Sequence, residues 1–539
     1  MKRRSFLKNT VATGAVLSIN ACQPVTNKNE VAEQKSDNFP LNEKSISELL
    51  AEYKNGTLTC AQVTQLYLDR IQAIDKNGPS LKSVIEVNPD AIEIAKSMDE
   101  ERKNGKIRGP LHGIPIMLKD NIDTAGNMMT TAGSLALEGN YAAKNSWVAQ
   151  KLEDAGAFIL AKTNLSEWAN FRSTRSSSGW SGRGGQTRNP YITDRNPCGS
   201  SSGSGVAVSA NLCTAAIGTE TNGSVVCPSS INGIVGIKPT VGLVSRTGIV
   251  PIAHSHDTAG PMTRSVEDAA LVLGALTGID PTDQYTEKSH GKSFTDYSQY
   301  LNKDALSGKN IGRAKQFSGF HSEVDLLMDQ VVKDLETLGA TVIEMEKEDL
   351  NGISGADAYE VLLYEFKHDL NKYFESCSSA INVRSLEELI KFNQEHADIE
   401  MPFFGQEILI AAQAKGDLNS DEYKKALENV LKFNGPEGID RVLDTYGIDA
   451  IIAPTGAPSW PIDVINGDHY IGGSSSPAAR SGYPNITVPM GFVHGLPVGI
   501  SFFAEAFSEP KLIGLAFAYE QATKHRKAPT FMPTFDHKI

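Results

Sequence analysis

The alternation of apolar and polar positions along the chain predicts short buried strands separated by amphipathic helices. A capping box of Thr59 and Gln62 precedes an apolar stripe of helical period, which is typical of a helix packed on a core. Strands are predicted at residues 83–87, 114–118, 157–161, 214–217, 234–237, 450–454, 485–489 and 498–503. Helices are predicted at residues 90–103, 147–155, 203–212, 265–277 and 510–525. This alternation predicts an α/β fold with a largely parallel, buried sheet.

One long section departs from this pattern. Residues 280–435 are more helical and more charged than the rest, and they contain few strand candidates beyond residues 341–344. A helical insertion of this kind packs on the outside of a sheet because its polar faces need water. We therefore predict a peripheral helical section that partly walls a pocket.

The first 22 residues have the pattern of an export signal. Arg3 and Arg4 stand near the start, and an uncharged stretch follows from residue 9 to residue 21. The paired arginines are typical of the twin-arginine export address, and residues 19–22 resemble a bacterial lipobox ending at Cys22. We therefore expect an exported bacterial protein, either periplasmic or anchored to the outer membrane as a lipoprotein.

The predicted domain organisation follows from this pattern. Residues 1–22 are a twin-arginine-type signal peptide with a lipobox, residues 23–40 are a polar tether with little to bury, and residues 41–539 are a single domain. Asn20 is unusual within a lipobox, so soluble release after cleavage stays open beside a lipid anchor at Cys22. A buried N-terminal helix is a further alternative, but polar residues interrupt the short apolar stretch.

Composition and charge exclude several classes of protein. The chain has 539 residues, of which 40% are hydrophobic, and this describes a globular protein rather than a disordered one. Its net charge of −13 argues against nucleic acid as the main partner, because phosphate binding needs a basic face. There are six cysteines, and five remain if Cys22 takes a lipid. An odd number without a CxxC pair predicts buried thiols rather than a disulfide framework or a zinc site.

Ser224 lies at a predicted corner between a strand and a loop. The strand is expected to end near Thr219, and both Asn222 and Gly223 tolerate the positive φ of a sharp turn. Converging N–H groups after such a turn form an oxyanion hole for a serine nucleophile. The predicted oxyanion hole is made by Thr221, Asn222, Gly223 and Ser224. Taken alone, this segment favours a plain β-turn serine.

Lys119 follows the apolar run 114–118, which predicts that its amine is buried at the end of a strand. Burial lowers the pKa of a lysine from about 10.4 by several units, so that the amine can be neutral at working pH. A neutral lysine can serve as general base toward a serine. An ion pair with Asp120 or Asp123 is the alternative, and it is the simpler explanation for an isolated lysine.

A serine–glycine cluster at residues 198–205 has three interpretations. A phosphate loop would need a GxxxxGK[ST] lysine, which is missing. A nucleophile elbow at Ser201 matches G-x-S-x-G, but the elbow should follow a strand and the preceding residues are polar and turn-like. The third interpretation is a backbone-dense loop that presents one hydroxyl between a lysine and a second serine.

Together these segments resemble the amidase signature family of serine hydrolases. The resemblance covers roughly residues 41–530 and consists of several motifs in the family's order. The motifs are Gly113-Ile114-Pro115 with Lys119-Asp120-Asn121, Gly199-Ser200-Ser201 with Gly205, Gly223-Ser224 with Pro228, and residues 232–240, 257–262 and 482–489. The resemblance implies an amidase signature fold, in which helices cover both faces of a large mixed, mostly parallel β-sheet core.

The resemblance also implies the roles of three residues. Ser224 is the nucleophile that becomes acylated, Ser200 is a bridging serine after a non-proline cis peptide bond, and Lys119 is the base. In the implied mechanism the proton passes from Ser224 through Ser200 to Lys119. No metal and no cofactor takes part.

Residues 219–224, 474–479 and 494–503 are most similar to the peptide amidase branch, whose members hydrolyse C-terminal amides of peptides. The expected substrates are therefore small amides or peptide amides. The chain departs from common forms of the family at Cys198, Ser202, Asn222 and Val226. Val226 stands where many members have arginine, so substrate preference cannot be transferred from them. The sequence does not reveal the oligomeric state.

Other functions remain as alternatives. They are a catalytically weak surface binding protein on an amidase scaffold, a component of an amidotransferase that works on charged tRNA, and an α/β-hydrolase that uses Ser201 with a histidine. Complete motifs argue against the first, and the export signal and acidic charge argue against the second. His254, His256 and Asp257 form a weak candidate metal cluster that lacks a further ligand, and we predict no metal site.

Overall fold

The structure is a computed structural model that describes residues 38–347, residue 350 and residues 355–535. The chain divides into two compact units, Met1–Asn42 and Glu43–Ile539. Only residues 38–42 of the first unit are described. The predicted signal peptide, the lipobox at Cys22 and most of the predicted tether therefore lie outside the described residues. All the helices and strands below belong to the second unit.

Thirteen strands occur in the described part of the chain, and they form an eleven-stranded sheet and a two-stranded hairpin. The strands are β1 Val84–Val87, β2 Pro115–Lys119, β3 Phe158–Thr163, β4 Trp180–Ser181, β5 Gly185–Gln186, β6 Ala215–Glu220, β7 Val235–Lys238, β8 Thr258–Thr263, β9 Asn310–Ala314, β10 Thr341–Met345, β11 Ala450–Pro454, β12 Asn485–Val493 and β13 Leu496–Phe503. The large sheet has the order β1-β3-β2-β6-β8-β7-β12-β13-β11-β9-β10, and β4 pairs with β5.

The large sheet is mixed. Neighbouring strands are parallel in two runs, β3-β2-β6 and β11-β9-β10. They are antiparallel at the edge pair of β1 and β3 and through the middle from β6 to β11. The α/β class and the large mixed sheet are confirmed. Four of the ten neighbouring strand pairs are parallel and six are antiparallel, so the sheet is less parallel than the alternation of strands and helices predicts. The antiparallel middle contains β8, β7 and the hairpin β12–β13, which lie between the two parallel runs.

Helices cover the sheet, and the five helical segments whose bounds were predicted are all present with similar bounds. They are α1 Ile46–Asn55, α2 Cys60–Arg70, α3 Ala91–Lys103, α4 Trp147–Asp154, α5 Glu167–Asn170, α6 Ser202–Ser209, α7 Val226–Ile231, α8 Val266–Leu276, α9 Ser322–Thr337, α10 Gly355–Phe374, α11 Leu386–Glu395, α12 Ala397–Glu400, α13 Glu407–Gln413, α14 Asp421–Asn434, α15 Arg441–Tyr446, α16 Ser476–Ser481 and α17 Glu509–Thr523. The capping box of Thr59 and Gln62 starts α2 as predicted. No helix among the described residues is both long and apolar enough to cross a lipid bilayer.

The section 280–435 contributes both to the sheet and to the outer layer. Strands β9 and β10 join the large sheet, and β9 is a strand that the sequence pattern did not single out. Helices α10, α11 and α13 bury apolar side chains against the loops around Trp168 and Ile252. These loops border the candidate site, so this section lies on one side of that site.

The parallel pairing of β2 with β6 positions the site. Parallel neighbours end at the same edge of a sheet, so the last residues of β2 and β6 come together. Lys119 is the last residue of β2, and Thr219 and Glu220 end β6. Both strands are buried along their whole length, which explains their nearly continuous apolar sequences.

Candidate active site

The amine of Lys119 is fully buried between a hydroxyl-bearing loop and β6. Its Nζ donates to Ser200 Oγ and to Thr219 Oγ1, each at 2.8 Å, and to Thr219 O at 3.2 Å. Burial lowers the pKa of Lys119 to about 7, although the carboxylates of Asp257 and Glu220 act in the opposite direction. The amine of the predicted base therefore titrates near neutral pH, and it is in contact with the predicted bridging serine.

Ser200 and Ser224 lie on two loops that meet. The peptide bond between Gly199 and Ser200 is cis, as the resemblance implies. Ser224 follows β6 after a turn in which Gly223 has a φ of 85°, a conformation that favours glycine. The N–H of Ser201 donates to the carbonyl of Ser224 at 3.2 Å and joins the two loops. The structure thus brings together the segments that carry all three predicted catalytic residues.

A disulfide between Cys198 and Cys227 links the same two loops. Cys198 lies two residues before Ser200, and Cys227 lies three residues after Ser224. The sequence predicted free thiols and no disulfide, and this pair corrects that prediction. Among the described residues, the prediction of free thiols holds for Cys60, Cys213 and Cys377. The prediction was wrong because the 29-residue separation has no recognisable spacing, and only the packing of the two loops brings the sulfurs together.

The carboxylate of Glu220 lies inside the turn that carries Ser224. Its Oε1 accepts from the N–H of Gly223 at 2.7 Å. Its Oε2 accepts from the N–H groups of Val225 at 2.8 Å and Val226 at 3.0 Å. The expectation that Gly223 contributes to the oxyanion hole is therefore not met, because its N–H already has an acceptor. The remaining predicted donors are Thr221, Asn222 and Ser224.

The alternative partners of Lys119 are engaged elsewhere. The carboxylate of Asp120 accepts from Thr131 Oγ1 and from the N–H of Gly133. Asp123 Oδ1 accepts from the hydroxyl of Tyr373 at 2.8 Å. Neither acid has Lys119 as its partner in these contacts, so the ion-pair interpretation is replaced by contact of the amine with Ser200 and Thr219.

Ser201 is part of the scaffold. Its side chain is fully buried, donates to the carbonyl of Thr219 at 3.1 Å and accepts from the N–H of Thr219 at 3.2 Å. A nucleophile must present its oxygen to a substrate, whereas this oxygen is bound to β6. The G-x-S-x-G interpretation with Ser201 as nucleophile therefore has no geometric support.

A cavity of about 330 Å³ lies beside these groups. Asn121, Thr219 and Thr221 line it on the side of β2 and β6. Arg246, His254 and three residues of α10, Asp369, Lys372 and Tyr373, are among those that line it elsewhere. The buried amide of Asn121 donates to Thr219 Oγ1 at 3.0 Å, which connects the cavity wall with the hydroxyl that contacts Lys119. The cavity is therefore a candidate binding site for part of a substrate.

The structure gives His254 different neighbours from those of the weak metal candidate in the sequence. Among the described residues, His254 forms a group with Glu365 and Asp369, rather than with His256 and Asp257, and the ligand atoms of this group lie within 4.8 Å of one another. His254 Nδ1 is 2.8 Å from Asp369 Oδ2, and its Nε2 is 3.4 Å from Glu365 Oε1. Because each ring nitrogen faces a different carboxylate, a protonated imidazole fits this group better than a metal ion. The two carboxylates raise the pKa of His254 against the opposing effect of burial.

Sequence reasoning missed three contributors to the site. Thr219 provides two of the acceptors for Lys119, Glu220 holds the turn at Ser224, and the disulfide joins the loops. Thr219 and Glu220 stand directly before the predicted oxyanion hole, and this adjacency is the one signal that could have identified them. No sequence signal identifies the disulfide.

Comparisons with known proteins show similarity along most of the chain. The Amidase family model matches residues 62–513. A probable amidase of Arabidopsis thaliana is 41% identical over 507 residues, which are 92% of this chain and 93% of that protein. The crystal structure of the native peptide amidase of Stenotrophomonas maltophilia has a TM-score of 0.87 and 49% sequence identity, covering 92% of this chain and 99% of that chain.

A third relative is named for a different function. This component of the glutamyl-tRNA(Gln) amidotransferase of Thermoanaerobacter pseudethanolicus is 33% identical over 504 residues, which are 90% of this chain and 97% of that protein. The family match spans most of the chain. The chain belongs to the amidase signature family, and it is an amidase, a hydrolase acting on the carbon–nitrogen bond of linear amides.

Proposed function

We propose that the protein is an exported amidase that hydrolyses carboxylic amides, including C-terminal amides of peptides, through an acyl-enzyme on Ser224. In this proposal Ser200 relays a proton from Ser224 to Lys119. The observation that carries it is the 2.8 Å contact between the buried amine of Lys119 and Ser200 Oγ. A lysine with a pKa of about 7 exchanges protons at neutral pH, whereas an ordinary lysine stays charged.

The three contacts of Lys119 suit a neutral base. A neutral amine has two protons and one lone pair. The carbonyl and hydroxyl oxygens of Thr219 can take the two protons, and the lone pair then faces Ser200 Oγ. Lys119 accepts the hydroxyl proton of Ser200 as Ser200 accepts that of Ser224, and Ser224 Oγ attacks the amide carbon.

The rest of the cycle follows from the reversal of this relay. The tetrahedral oxyanion is stabilised by main-chain N–H groups of the turn at residues 221–224, with the exception of Gly223. The proton returns through Ser200 to the departing ammonia or amine as the carbon–nitrogen bond breaks. Water then attacks the acyl-enzyme by the same route and releases the carboxylic acid. In this proposal the chain's own residues carry out all of these steps.

The peptide amide preference rests on similarity. The peptide amidase of Stenotrophomonas maltophilia covers nearly the whole described domain at 49% identity. The cavity beside Thr221 is large enough for a side chain next to the reacting carbonyl, and it has both apolar and charged lining residues. These observations support small amides and peptide C-terminal amides as substrates.

Covalent labelling and a substrate panel test the proposal. A fluorophosphonate is incubated with the purified protein, and the modified residue is located by mass spectrometry. Peptide C-terminal amides, fatty amides and aryl amides are then compared for release of ammonia or amine. Labelling of Ser224 and turnover of peptide amides are expected. If neither labelling nor turnover occurs, the result favours a surface binding protein on an amidase scaffold. If the protein acts only together with partner proteins, and only in forming glutaminyl-tRNA, the result favours the amidotransferase.

Export is the second part of the proposal. Its support is the sequence of residues 1–22, with paired arginines, an uncharged stretch and Cys22 at the end of a lipobox-like segment. Fractionation of cells that express the full chain should find it outside the cytoplasm, and Arg3→Lys with Arg4→Lys should retain it inside. Cys22→Ala should release a membrane-bound form if lipid anchors it. Recovery of the uncleaved chain in the cytosol would contradict export.

A further inference from the structure

The disulfide occupies a particular position relative to the proposed relay. Cys198 is separated from Ser200 by one residue, and Cys227 is separated from Ser224 by two residues. Cys227 is also part of α7, where its N–H donates to the carbonyl of Gly223 at 2.8 Å. Any change in the position of Cys227 is therefore transmitted directly to the turn that carries Ser224.

Hydrogen bonds also connect these loops, and Ser201 Oγ is bonded to Thr219 at the end of β6, directly before the turn that carries Ser224. The N–H of Ser201 donates to the carbonyl of Ser224, and Asn232 Nδ2 donates to the carbonyl of Pro197 at 2.9 Å. The disulfide is the covalent connection between the loops, and it closes a 29-residue separation that contains both serines.

The surroundings of the sulfurs are apolar, and both cysteine residues are largely buried. Cys198 and Cys227 form a cluster with Ile231 and Trp460. Both cysteines retain a small exposed fraction, 6% for Cys198 and 8% for Cys227, whereas Cys213 is completely buried. The disulfide is therefore largely shielded from solvent, and its reduction requires a reagent small enough to reach this cluster.

We propose that the Cys198–Cys227 disulfide is a positioning element for the relay, so that amide turnover depends on its oxidation state. This rests on the proposed roles of Ser200 and Ser224. A proton relay requires oxygen atoms at hydrogen-bond distance, and a misplacement of about 1 Å can cost about 10²-fold in rate. With the two loops unlinked, Ser200 keeps its contact with Lys119 but is held less well against Ser224.

The chemistry of the change is a two-electron exchange. In the reduced protein the thiols of Cys198 and Cys227 react with a small disulfide such as glutathione disulfide. One protein thiolate attacks a sulfur of the reagent and releases one thiol, and the second protein thiolate then attacks the mixed disulfide and releases the other. The protein loses two electrons and two protons, and the reagent gains them. If the protein is exported, an oxidising compartment would favour the linked form.

The test measures turnover in both oxidation states of the full-length protein. Wild-type protein is reduced with a phosphine, its two freed thiols are counted by alkylation and mass spectrometry, and it is reoxidised with glutathione disulfide. Cys198→Ser and Cys227→Ser provide permanently unlinked forms. Cys213→Ser is the matched control, because it removes a buried thiol that forms no disulfide. Amide turnover, fluorophosphonate labelling of Ser224 and circular dichroism are recorded for each form well below its Tm.

A positioning role predicts a specific combination of results. The unlinked forms should show kcat and labelling rate lower by about tenfold or more, a KM within about twofold, unchanged circular dichroism and recovery on reoxidation of the reduced wild type. Cys213→Ser should behave as wild type. Unchanged kcat in protein shown by mass to be reduced would overturn the proposal. So would a loss of kcat that occurs only together with loss of secondary structure, since the disulfide would then merely stabilise the fold.

The same measurements separate this inference from the proposed function. If the oxidised wild type is not labelled at Ser224 and turns over no amide, the proposed function is wrong. If the oxidised wild type is labelled and active, and the unlinked forms equal it, the positioning role alone is wrong. The serine variants also cover the case in which the phosphine fails to reach the disulfide.

Discussion

The Nζ atom of Lys119 lies 2.8 Å from Ser200 Oγ, with no exposed surface on the lysine side chain. Lys119→Ala should lower kcat/KM for amide turnover by at least about 10³-fold, because it removes the group that accepts the relayed proton. Lys119→Arg should fail equally, since a guanidinium stays charged. Steady-state kinetics and fluorophosphonate labelling measure both.

Lys162 on the neighbouring strand β3 provides a matched control for this variant. It is equally buried, its pKa is also lowered by burial, and its Nζ donates to Thr130 Oγ1 at 2.9 Å rather than to a proposed catalytic group. Lys162→Met should reduce stability but preserve labelling of Ser224. Equal loss of labelling in both variants would mean that the loss reflects the removal of a buried lysine and not of a base.

Ser224 and Ser201 are distinguished by parallel alanine variants. Ser224→Ala should abolish fluorophosphonate labelling and amide turnover while the protein stays folded. Ser201→Ala should remain labelled, but it leaves the N–H of Thr219 without its side-chain acceptor and removes one of the two side-chain donors to the carbonyl of Thr219. The free energy of unfolding should therefore fall by about 1–3 kcal/mol. Chemical denaturation measures this loss. Labelling that disappears in Ser201→Ala and persists in Ser224→Ala would reverse the assignment.

The pH dependence of kcat/KM should report the titration of Lys119. The amine must be neutral to accept a proton, and burial lowers its pKa to about 7. The rate should therefore be low in acid, rise with a midpoint near pH 7 and level off above it. Asp257→Asn removes a carboxylate that raises the pKa of Lys119, so its midpoint should move to lower pH. A profile without a rise through neutrality in wild type would contradict a lysine base.

Glu220 should control the conformation of the turn at Ser224. Glu220→Gln replaces one acceptor oxygen by an NH₂ group, which cannot accept from the main-chain donors that the carboxylate binds. We expect labelling of Ser224 to slow by about tenfold or more, because the oxyanion donors and the nucleophile share this turn.

Glu509→Gln is the matched control for Glu220→Gln, because Glu509 is also buried and accepts a main-chain N–H, that of Thr240 at 2.6 Å. Both variants should lose stability, and only Glu220→Gln should lose labelling rate. Stopped assays of labelling at several times give the rates. Equal labelling of the two variants would show that the Glu220 contacts contribute stability alone.

Much of the fold and of the proposed catalytic set follows from local sequence features. The apolar run that ends at Lys119 predicts a buried strand with a desolvated amine at its end, and the structure has both in β2. The capping box of Thr59 and Gln62 predicts the start of α2, because it depends on neighbours within one turn. Ordered motifs indicate the family, and the family match agrees.

Contacts between distant segments could not be predicted in this way. Local sequence patterns do not reveal the register in which β2 pairs with β6. Because of that register, the amine of Lys119 contacts Thr219 rather than Asp120 or Asp123. The carboxylate of Glu220 reaches the N–H of Gly223 only because the chain folds back at the turn, and this removes a donor from the predicted oxyanion hole.

The sequence by itself determined which residue types carry the chemistry, because burial patterns, turn propensity and capping act over a few neighbouring residues. The tertiary structure alone decided the partners of those residues and the disulfide between Cys198 and Cys227. The physical reason is that hydrogen-bond and sulfur–sulfur contacts depend on distances of a few ångströms, which are set by the packing of whole strands and loops.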